Sequence, residues 1–390
     1  MRPGLSLFFI ALGLFGVFTV EFSVIGLIPS IVSRYEVTVS QAGWLVGWFA
    51  AIAAVGGPFM VFWLSRYDRR RVLISSLAIF SFCSALSAWA PDFLSLMALR
   101  IPSALLLPVF FSMAFAAAVA LYPPNRAAHA TSMALMGESI GLVLGVPLIT
   151  LIELRISYEA SFIFCALVCA FAVAGLWRLP PMDRGAGEKT GKKSLAILRK
   201  PVLWLGLAAT GAVLAAMFSV YSYATEYLSK IGFGGDAISL LMMIFGVGGL
   251  MGNFIAGRSL TRNMKMTVII YPFVIAFAYL ALHLFAKPAL VPMGILCMLW
   301  GAAHTSGLVV SQFWVASSAK EAPEFATSLF VSAANVGVTI GATVGGSFIS
   351  WMGMDGPLWA GWIFTGAAFI FFLVSMHYTS KILLHERAVC

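Results

Sequence analysis

Twelve long apolar runs constrain this chain more than any other feature of its sequence. A helix needs about 20 apolar residues to cross the hydrocarbon core of a bilayer. Of the 390 residues, 61% are hydrophobic and only 10% are charged, too few charges to cover a soluble protein of this size. The sequence therefore predicts an all-α integral membrane protein. Its twelve transmembrane helices are predicted at residues 5–33, 40–65, 72–90, 93–121, 131–153, 159–178, 201–228, 237–257, 266–285, 289–317, 327–352 and 358–380.

The two halves of the chain resemble each other. Residues 55–72 contain a Gly-Gly pair and a basic loop that return 192 positions later, and residues 130–145 return as residues 326–341. Duplicated membrane carriers of this kind have two bundles related by an axis along the membrane normal. We therefore predict six-helix bundles at residues 1–178 and 201–390, related by a pseudo-two-fold axis.

Residues 179–200 are rich in proline, glycine and lysine, and we predict that they form a cytoplasmic linker between the bundles. Within this linker, residues 195–199 (LAILR) form either a short amphipathic helix on the membrane surface or part of a solvated loop.

The net charge of +9 has a topological explanation. Most of the 24 basic residues fall on connections that share a side with the N-terminus, which is the bias typical of cytoplasmic loops. Both termini are therefore predicted to be cytoplasmic, and nucleic-acid binding is not expected. The sequence has no nucleotide-binding loop, metal-ligand spacing or nucleophile motif. We accordingly predict no cofactor, no metal and no enzymatic activity.

Ionisable residues inside spans are expensive, so each is a candidate functional residue. Glu21 lies near the middle of the first span, where a carboxyl could load a proton or contact substrate, or simply bond to a neighbouring helix. Arg100 needs a carboxylate or carbonyl acceptors if it is buried, and Glu21 and Glu138 are the available acids. The alternative for Arg100 is that its side chain reaches the outer surface.

Each of the remaining polar candidates has two possible interpretations. Glu138 corresponds to Ala334 in the second half, which indicates either a specialised role or a place in the aqueous vestibule. His304 suits proton handling or a hydrogen bond between helices. Four further side chains either line a substrate cavity or join helices, namely Tyr221, Tyr223, Gln312 and Asn335.

Two segments are candidates for a conformational gate. In the fifth span, Gly137, Gly141 and Gly145 share one face and precede Pro147, a pattern that favours close helix contact and a bend. The contact could be static or could move in a rocking carrier. The second segment is the basic loop after Gly57, which is either a topology signal or a latch remade during transport. Its charged members are Arg66, Asp68, Arg69 and Arg70.

These features together resemble the major facilitator superfamily over essentially the whole chain, and specifically its drug:proton antiporter group with twelve helices. Residues 57–71 are similar to the family's loop motif between helices two and three, although Ser65 stands where that motif has an acid. Arg100 matches the fourth-helix arginine associated with proton coupling. The fifth-helix glycines and Pro147 resemble the antiporter motif of exporters, with Leu142 in place of its usual proline.

A narrower resemblance is to the sugar-efflux and purine-ribonucleoside-efflux subgroup. It rests on Glu21-Phe22, the loop Asp68-Arg69-Arg70, the segment Tyr221-Ser222-Tyr223 and the stretch LWGAAH that ends at His304. The resemblance implies a monomeric transporter of the bacterial inner membrane whose partners are a small substrate, protons and the lipid bilayer. We predict export of a small polar or amphipathic molecule (a sugar, nucleoside, drug or similar metabolite) by proton antiport. The alternative is a facilitative carrier or a proton-symport importer.

Overall fold

The computed structural model describes residues 3–64, 66–123, 127–178, 197–319 and 323–389. In these ranges the chain is helical almost throughout and contains no β-strand. Its α-helices are α1 (Pro3–Tyr35), α2 (Val39–Leu64), α3 (Arg69–Ser87), α4 (Phe93–Ala120), α5 (Ala127–Arg155), α6 (Tyr158–Leu176), α7 (Pro201–Tyr221), α8 (Ala224–Ile231), α9 (Gly235–Phe285), α10 (Leu290–Ser318), α11 (Pro323–Met352) and α12 (Gly356–Val389). Short 3-10 turns at Ile197–Arg199 and Gly353–Asp355 precede α7 and α12.

The helices account for the predicted membrane spans. In the described part of the chain, nine helical stretches are long and apolar enough to cross a bilayer, and the bent α5 provides a tenth. Two of these stretches, Gly235–Phe285 with 51 residues and Leu329–Tyr378 with 50, each correspond to two predicted spans. A 51-residue helix is about 77 Å long, more than twice the roughly 30 Å of hydrocarbon. The prediction of an all-α integral membrane fold is therefore confirmed.

The chain divides into two compact units. The first contains α1 to α6 together with Ala224–Met243, which is α8 and the beginning of α9. The second contains the 3-10 turn, α7 and the chain from Ile244 onwards. Of the predicted linker, residues 179–196 lie outside the described residues, and the end of the LAILR tract forms the turn Ile197–Arg199.

A close helix contact occurs in both units with the same register. A Cβ on Gly141 of α5 would lie 2.9 Å from the carbonyl oxygen of Phe15 in α1. In the second unit, Gly337 of α11 lies against Gly211 of α7. Gly337 and Gly211 each lie 196 positions after Gly141 and Phe15. The contact of Gly341 with Ala215 corresponds in the same way to that of Gly145 with Thr19. The duplication seen in the sequence therefore preserves a backbone-to-backbone contact, and glycine is what permits it.

The loop after α2 also has a structural counterpart. Asp68 caps α3, because its Oδ1 accepts a hydrogen bond of 2.9 Å from the amide of Arg71. In the second unit Asn263 interrupts α9 with φ −153° and ψ 89°, and its Oδ1 accepts from the amide of Met266 at 3.1 Å. Asp and Asn are both preferred at helix N-termini. The same cap therefore starts the next helix in each half, with a charge only in the first.

Helix α5 is bent by 45° between Leu142 and Leu144. The cause is Pro147, which has no amide to donate to the carbonyl of Val143 and whose ring crowds that carbonyl. The proline thus places the bend between Gly141 and Gly145, two of the three glycines through which α5 contacts α1.

The repeated helix contact leads to a prediction about the free energy of unfolding. Gly341→Ala would place a methyl group 2.9 Å from the Cα of Ala215, so we expect overpacking to cost about 1–3 kcal/mol of unfolding free energy. Gly366→Ala is the matched control, because no described atom lies within 4 Å of its Cβ position. Alanine there should be neutral or stabilise α12 by up to about 1 kcal/mol. Thermal unfolding in detergent measures both; equal midpoints would contradict the close contact.

Candidate functional site

In the first unit, Arg100 of α4 is bound to the backbone of α1. Both Arg100 and Glu21 are buried, each with 6% of its surface exposed. The guanidinium donates from Nη1 to the carbonyl of Val20 at 3.3 Å and from Nη2 to the carbonyl of Glu21 at 2.7 Å. Each carbonyl has a second lone pair for this bond besides the one used by the helix. Arg100 therefore points into the unit and not to its surface.

Phe49 of α2 covers the guanidinium from another side. The Cζ of Arg100 lies 4.8 Å from the centre of the Phe49 ring, within the range of a cation–π contact. The Nε of Arg100 is buried and has no hydrogen-bond partner in the described part of the chain. Arg100 is thus held by two carbonyls and a ring, none of which carries a negative charge.

The carboxyl of Glu21 lies beside this arginine without being bound to it. Its Oε2 is buried and lacks a hydrogen-bond partner among the described residues. Arg100 uses the main-chain oxygen of Glu21, and the structure shows no ion pair between the two side chains in the residues described. A buried polar oxygen without a partner is costly. This carboxyl is therefore available to a proton or to a donor on a substrate.

Glu138 of α5 belongs to the same unit but lies at another depth. The register of α5 on α1 places Gly137 beside Ala11, which is ten residues before Glu21. At 1.5 Å per residue, Glu138 is about 14 Å from Glu21 along the helix axis. Its Oε2 is also buried without a partner in the described ranges. The structure therefore brings Glu21 and Arg100 together, and although the backbone of Glu138 lies at another depth, its carboxyl is within electrostatic range of Glu21.

An aromatic cluster surrounds His304 in the second unit. The imidazole centre is 4.6 Å from the ring of Tyr221, 5.4 Å from that of Phe245 and 5.6 Å from that of Phe218. Trp300, one turn earlier on α10, contacts Phe245 at 4.8 Å. We refer to these five residues as the aromatic cluster. The Nδ1 of His304 and the Nε1 of Trp300 are both buried with no hydrogen-bond partner among the residues described.

The other predicted cavity residues do not join this cluster. The hydroxyl of Tyr223 donates to the carbonyl of Ala342 at 2.6 Å and so ties the end of α7 to α11. Asn335 donates to the carbonyl of Val331 within its own helix at 2.9 Å, and Gln312 is exposed. Of the four predicted cavity residues, Tyr221 alone is beside His304.

The predicted gate residues are attached to the first unit by several contacts. A Cβ on Gly57 of α2 would lie 2.5 Å from Cγ of Pro108, so glycine allows α2 to approach α4. Arg70 donates to the main-chain carbonyl of Trp177 at the end of α6. Arg69 has a buried Nε, and Arg66 lies in the exposed turn before the Asp68 cap. The loop thus holds the start of α3 against the end of α6.

Sequence reasoning missed Phe49, Phe218, Phe245 and Trp300. Trp300 and His304 are four residues apart and therefore share a helix face, a signal that the sequence does contain. Phe49 gave no such signal, because it is one of 32 phenylalanines and only its position over Arg100 distinguishes it.

Comparison with known proteins agrees with the fold. Residues 10–324 match the family model of the Major Facilitator Superfamily. The chain is 31% identical over 351 residues to the inner membrane transport protein YdhP of Escherichia coli K12, covering 90% of each chain. It is 29% identical to a chloramphenicol resistance protein of Streptomyces lividans, covering 94% of this chain and 95% of that one. A probable sugar efflux transporter of Helicobacter pylori strain J99 is 26% identical, covering 86% of each.

A solved structure supports the same fold assignment. The crystal structure of a bacterial homologue of the human lysosomal transporter Spinster superposes with a TM-score of 0.81 at 16% identity, covering 97% of this chain and 98% of that one. The family match and the transporter relatives show that the protein is a multi-pass membrane transporter and not an enzyme. The protein belongs to the Major Facilitator Superfamily.

The anchoring of Arg100 makes a prediction with a matched control. Arg100→Gln removes two charge-assisted hydrogen bonds from buried carbonyls, and we expect a loss of about 2–5 kcal/mol of stability. Arg155→Gln removes the 2.8 Å ion pair with Asp236, whose side chains are 65% and 64% exposed, and should cost no more than about 1 kcal/mol. Thermal unfolding of the two purified variants tests this. A midpoint for Arg100→Gln as high as that of the control would contradict the assigned role.

Proposed function

We propose that this transporter exports a small polar or amphipathic molecule across the bacterial inner membrane in exchange for protons, by alternating access. The observation that carries the proposal is the buried, unpartnered Oε2 of Glu21 beside an arginine that is bound to the backbone. A buried carboxyl oxygen without a partner can gain or lose a proton without breaking an existing hydrogen bond. The relatives named as efflux and resistance proteins support the direction of transport.

The geometry allows Glu21 to change its protonation state without disturbing Arg100. The hydrogen bonds of the guanidinium go to the carbonyls of Val20 and Glu21, which accept them equally well in both states. The positive charge stabilises the carboxylate, and the apolar surroundings stabilise the neutral acid, so both forms are accessible. In the proposed cycle, protonation of Glu21 from outside releases substrate and deprotonation inside permits reloading.

The α1–α5 contact supplies the conformational part of the proposal. Thr19, which Gly145 contacts, is two residues before Glu21 on the same helix. A shift of α5 about its bend next to Gly145 would therefore change the surroundings of the Glu21 carboxyl. The Arg66–Arg70 loop follows α2 and is held by the Asp68 cap and by Trp177. It would influence the equilibrium between the inward-facing and outward-facing states. Glu138 is proposed to line the proton or substrate path at its own depth.

The aromatic cluster is the proposed substrate contact of the second unit. Stacked rings together with two unpaired ring nitrogens suit a molecule with a flat or ring-shaped apolar face and hydrogen-bonding edges. Sugars, nucleosides and aromatic drugs all have this character. We further propose that the protein works as a monomer. Both termini are proposed to lie in the cytoplasm, as the distribution of basic residues predicts.

Proton movement in energised inside-out vesicles tests the exchange of substrate for protons. Sugars, nucleosides, cationic drugs and metal-chelating metabolites are added one at a time while a pH-sensitive dye reports the gradient. We expect at least one compound to discharge the gradient with the native protein, and a reduction of at least tenfold with Glu21→Gln. Glu159→Gln is the control, since this acid belongs to the same unit but only forms a surface ion pair with Arg34 at 2.5 Å.

The same vesicles separate export from the alternatives. Equilibration of a radiolabelled compound without a pH response would contradict antiport and leave a facilitative carrier. Accumulation of the compound in right-side-out vesicles with proton entry would indicate a symport importer. A discharge that is equal in native protein and in Glu21→Gln would remove Glu21 from the mechanism.

The aromatic cluster gives a separate prediction once a transported compound is known. His304→Phe keeps the ring and its packing but removes the unpaired Nδ1, so we expect the half-saturating concentration to rise about tenfold, equivalent to roughly 1.4 kcal/mol. Tyr223→Phe is the control, because it loses only the bond to Ala342 and should lower stability without changing affinity. Unchanged half-saturation in His304→Phe would exclude Nδ1 as a substrate contact.

A further inference from the structure

We propose that a groove at one end of the second unit binds the phosphate headgroup of an anionic phospholipid. The groove has a volume of about 570 Å³ and lies between the start of α7 and the last turns of α12. It is lined by Arg199, Pro201, Trp204, Leu205, Val374 and Tyr378. This site is separate from Glu21, Arg100 and the aromatic cluster, and the proposal does not depend on the direction of transport.

The groove is built on a fixed backbone. Ile197 in the 3-10 turn is 1% exposed and packs in a core cluster with Leu203, Leu207 and Val315, so the turn is anchored to the unit. The amide of Lys200 donates to the carbonyl of Ile197 at 3.0 Å. The indole Nε1 of Trp204 donates to the carbonyl of Leu198 at 2.8 Å, which fixes the orientation of that ring. Arg199 is consequently held beside a positioned aromatic wall.

The polar end of the groove suits an anion. Arg199 is exposed and is the charged residue of the lining, which contains no carboxylate among the side chains that the structure describes. It lies immediately before α7, whose first turn has Pro201 at its start and no side-chain cap. Pro201 has no amide and the amide of Leu203 donates to the carbonyl of Lys200, so it is the positive end of the helix dipole that adds to the field of the arginine. A phosphate diester fits this combination of a guanidinium and a helix start.

The apolar end of the groove distinguishes a phospholipid from a free anion. Trp204, Tyr378 and Val374 are 54%, 46% and 37% exposed, although all three are apolar or amphipathic. Trp and Tyr concentrate where the headgroups meet the hydrocarbon. Val374 and Tyr378 are four residues apart and so share one face of α12. A phospholipid would place its phosphate by Arg199 and its acyl chain along this face, whereas inorganic phosphate would leave the apolar wall uncovered.

The membrane leaflet supplies such a lipid. Arg199 follows the lysine-rich segment predicted to be cytoplasmic, and the cytoplasmic leaflet is the one with anionic lipids. Basic pockets beside transmembrane helices on that side commonly recognise anionic headgroups. The charge of the groove is therefore complementary to that of its surroundings.

Quenching of Trp204 fluorescence by brominated lipids tests the proposal. The protein is reconstituted with brominated phosphatidylglycerol or brominated phosphatidylcholine in otherwise identical vesicles, and the Trp204 signal is obtained by subtracting the spectrum of Trp204→Phe. We expect quenching by phosphatidylglycerol to be at least twice that by phosphatidylcholine. Arg199→Gln should abolish the difference, and Arg199→Lys should retain most of it.

Controls separate the site from general attraction to the surface. Lys265→Gln removes an exposed charge of the same unit outside the groove and should leave the preference unchanged. Thermal unfolding of each variant checks that it is folded. Equal quenching by the two lipids, or an unchanged preference in Arg199→Gln, would overturn the proposal. Loss of the preference on adding millimolar inorganic phosphate at constant ionic strength would identify a free-anion site and would also overturn it.

Discussion

The lack of water in the hydrocarbon core governs the arrangement of polar groups throughout this protein. Every donor and acceptor at that depth must find a partner inside the chain or remain unsatisfied at high cost. Hydroxyl groups illustrate the rule, since Thr19 and Thr210 each donate to a carbonyl four residues earlier in their own helices. Pro29 leaves the carbonyl of Ile25 without its helical donor, and the hydroxyl of Thr225 supplies one at 2.5 Å.

The same rule makes the exceptions informative. Glu21, Glu138, His304 and Trp300 each have a buried polar atom without a partner in the described residues, although neighbouring helices carry donors and acceptors. Packing alone would replace such groups with apolar ones of similar volume, because an unsatisfied polar group destabilises the fold. In the function proposed above, these atoms find partners that come and go, namely protons and substrate.

Duplication explains the packing of this protein but not its chemistry. The α1–α5 and α7–α11 contacts share one register, and the Asp68 and Asn263 caps occupy equivalent loops. At the same shift of 196 positions, Glu21 corresponds to Met217 and Glu138 to Ala334. The first unit has thus kept or acquired buried charge, while the second has a cluster of rings. Helix contacts constrain both halves equally, whereas the proposed proton site would be needed in only one of them.

The sequence was informative where one local pattern determines the structure. The apolar runs predict the spans because bilayer thickness sets their length, and Gly141, Gly145 and Pro147 predict a close contact and a bend from backbone chemistry alone. The partners of Arg100 could not be predicted, since a buried arginine can be satisfied by carboxylates or carbonyls and only the fold decides which. Tyr221 and Tyr223 are indistinguishable in sequence, yet one faces His304 and the other bonds to Ala342.

Arg100 binds main-chain carbonyls and not the carboxylate of Glu21. This matters for any transport cycle in which Glu21 gains and loses a proton. A direct buried ion pair would hold the carboxylate and the guanidinium together by hydrogen bonds that protonation of the acid would weaken or break. Here the two hydrogen bonds to α1 and the contact with Phe49 remain when the carboxyl becomes neutral. The arginine therefore supplies a positive field without forming the bond that would trap the proton acceptor. Loss or gain of a proton at Glu21 then breaks no hydrogen bond of Arg100, as the proposed exchange of protons for substrate would require.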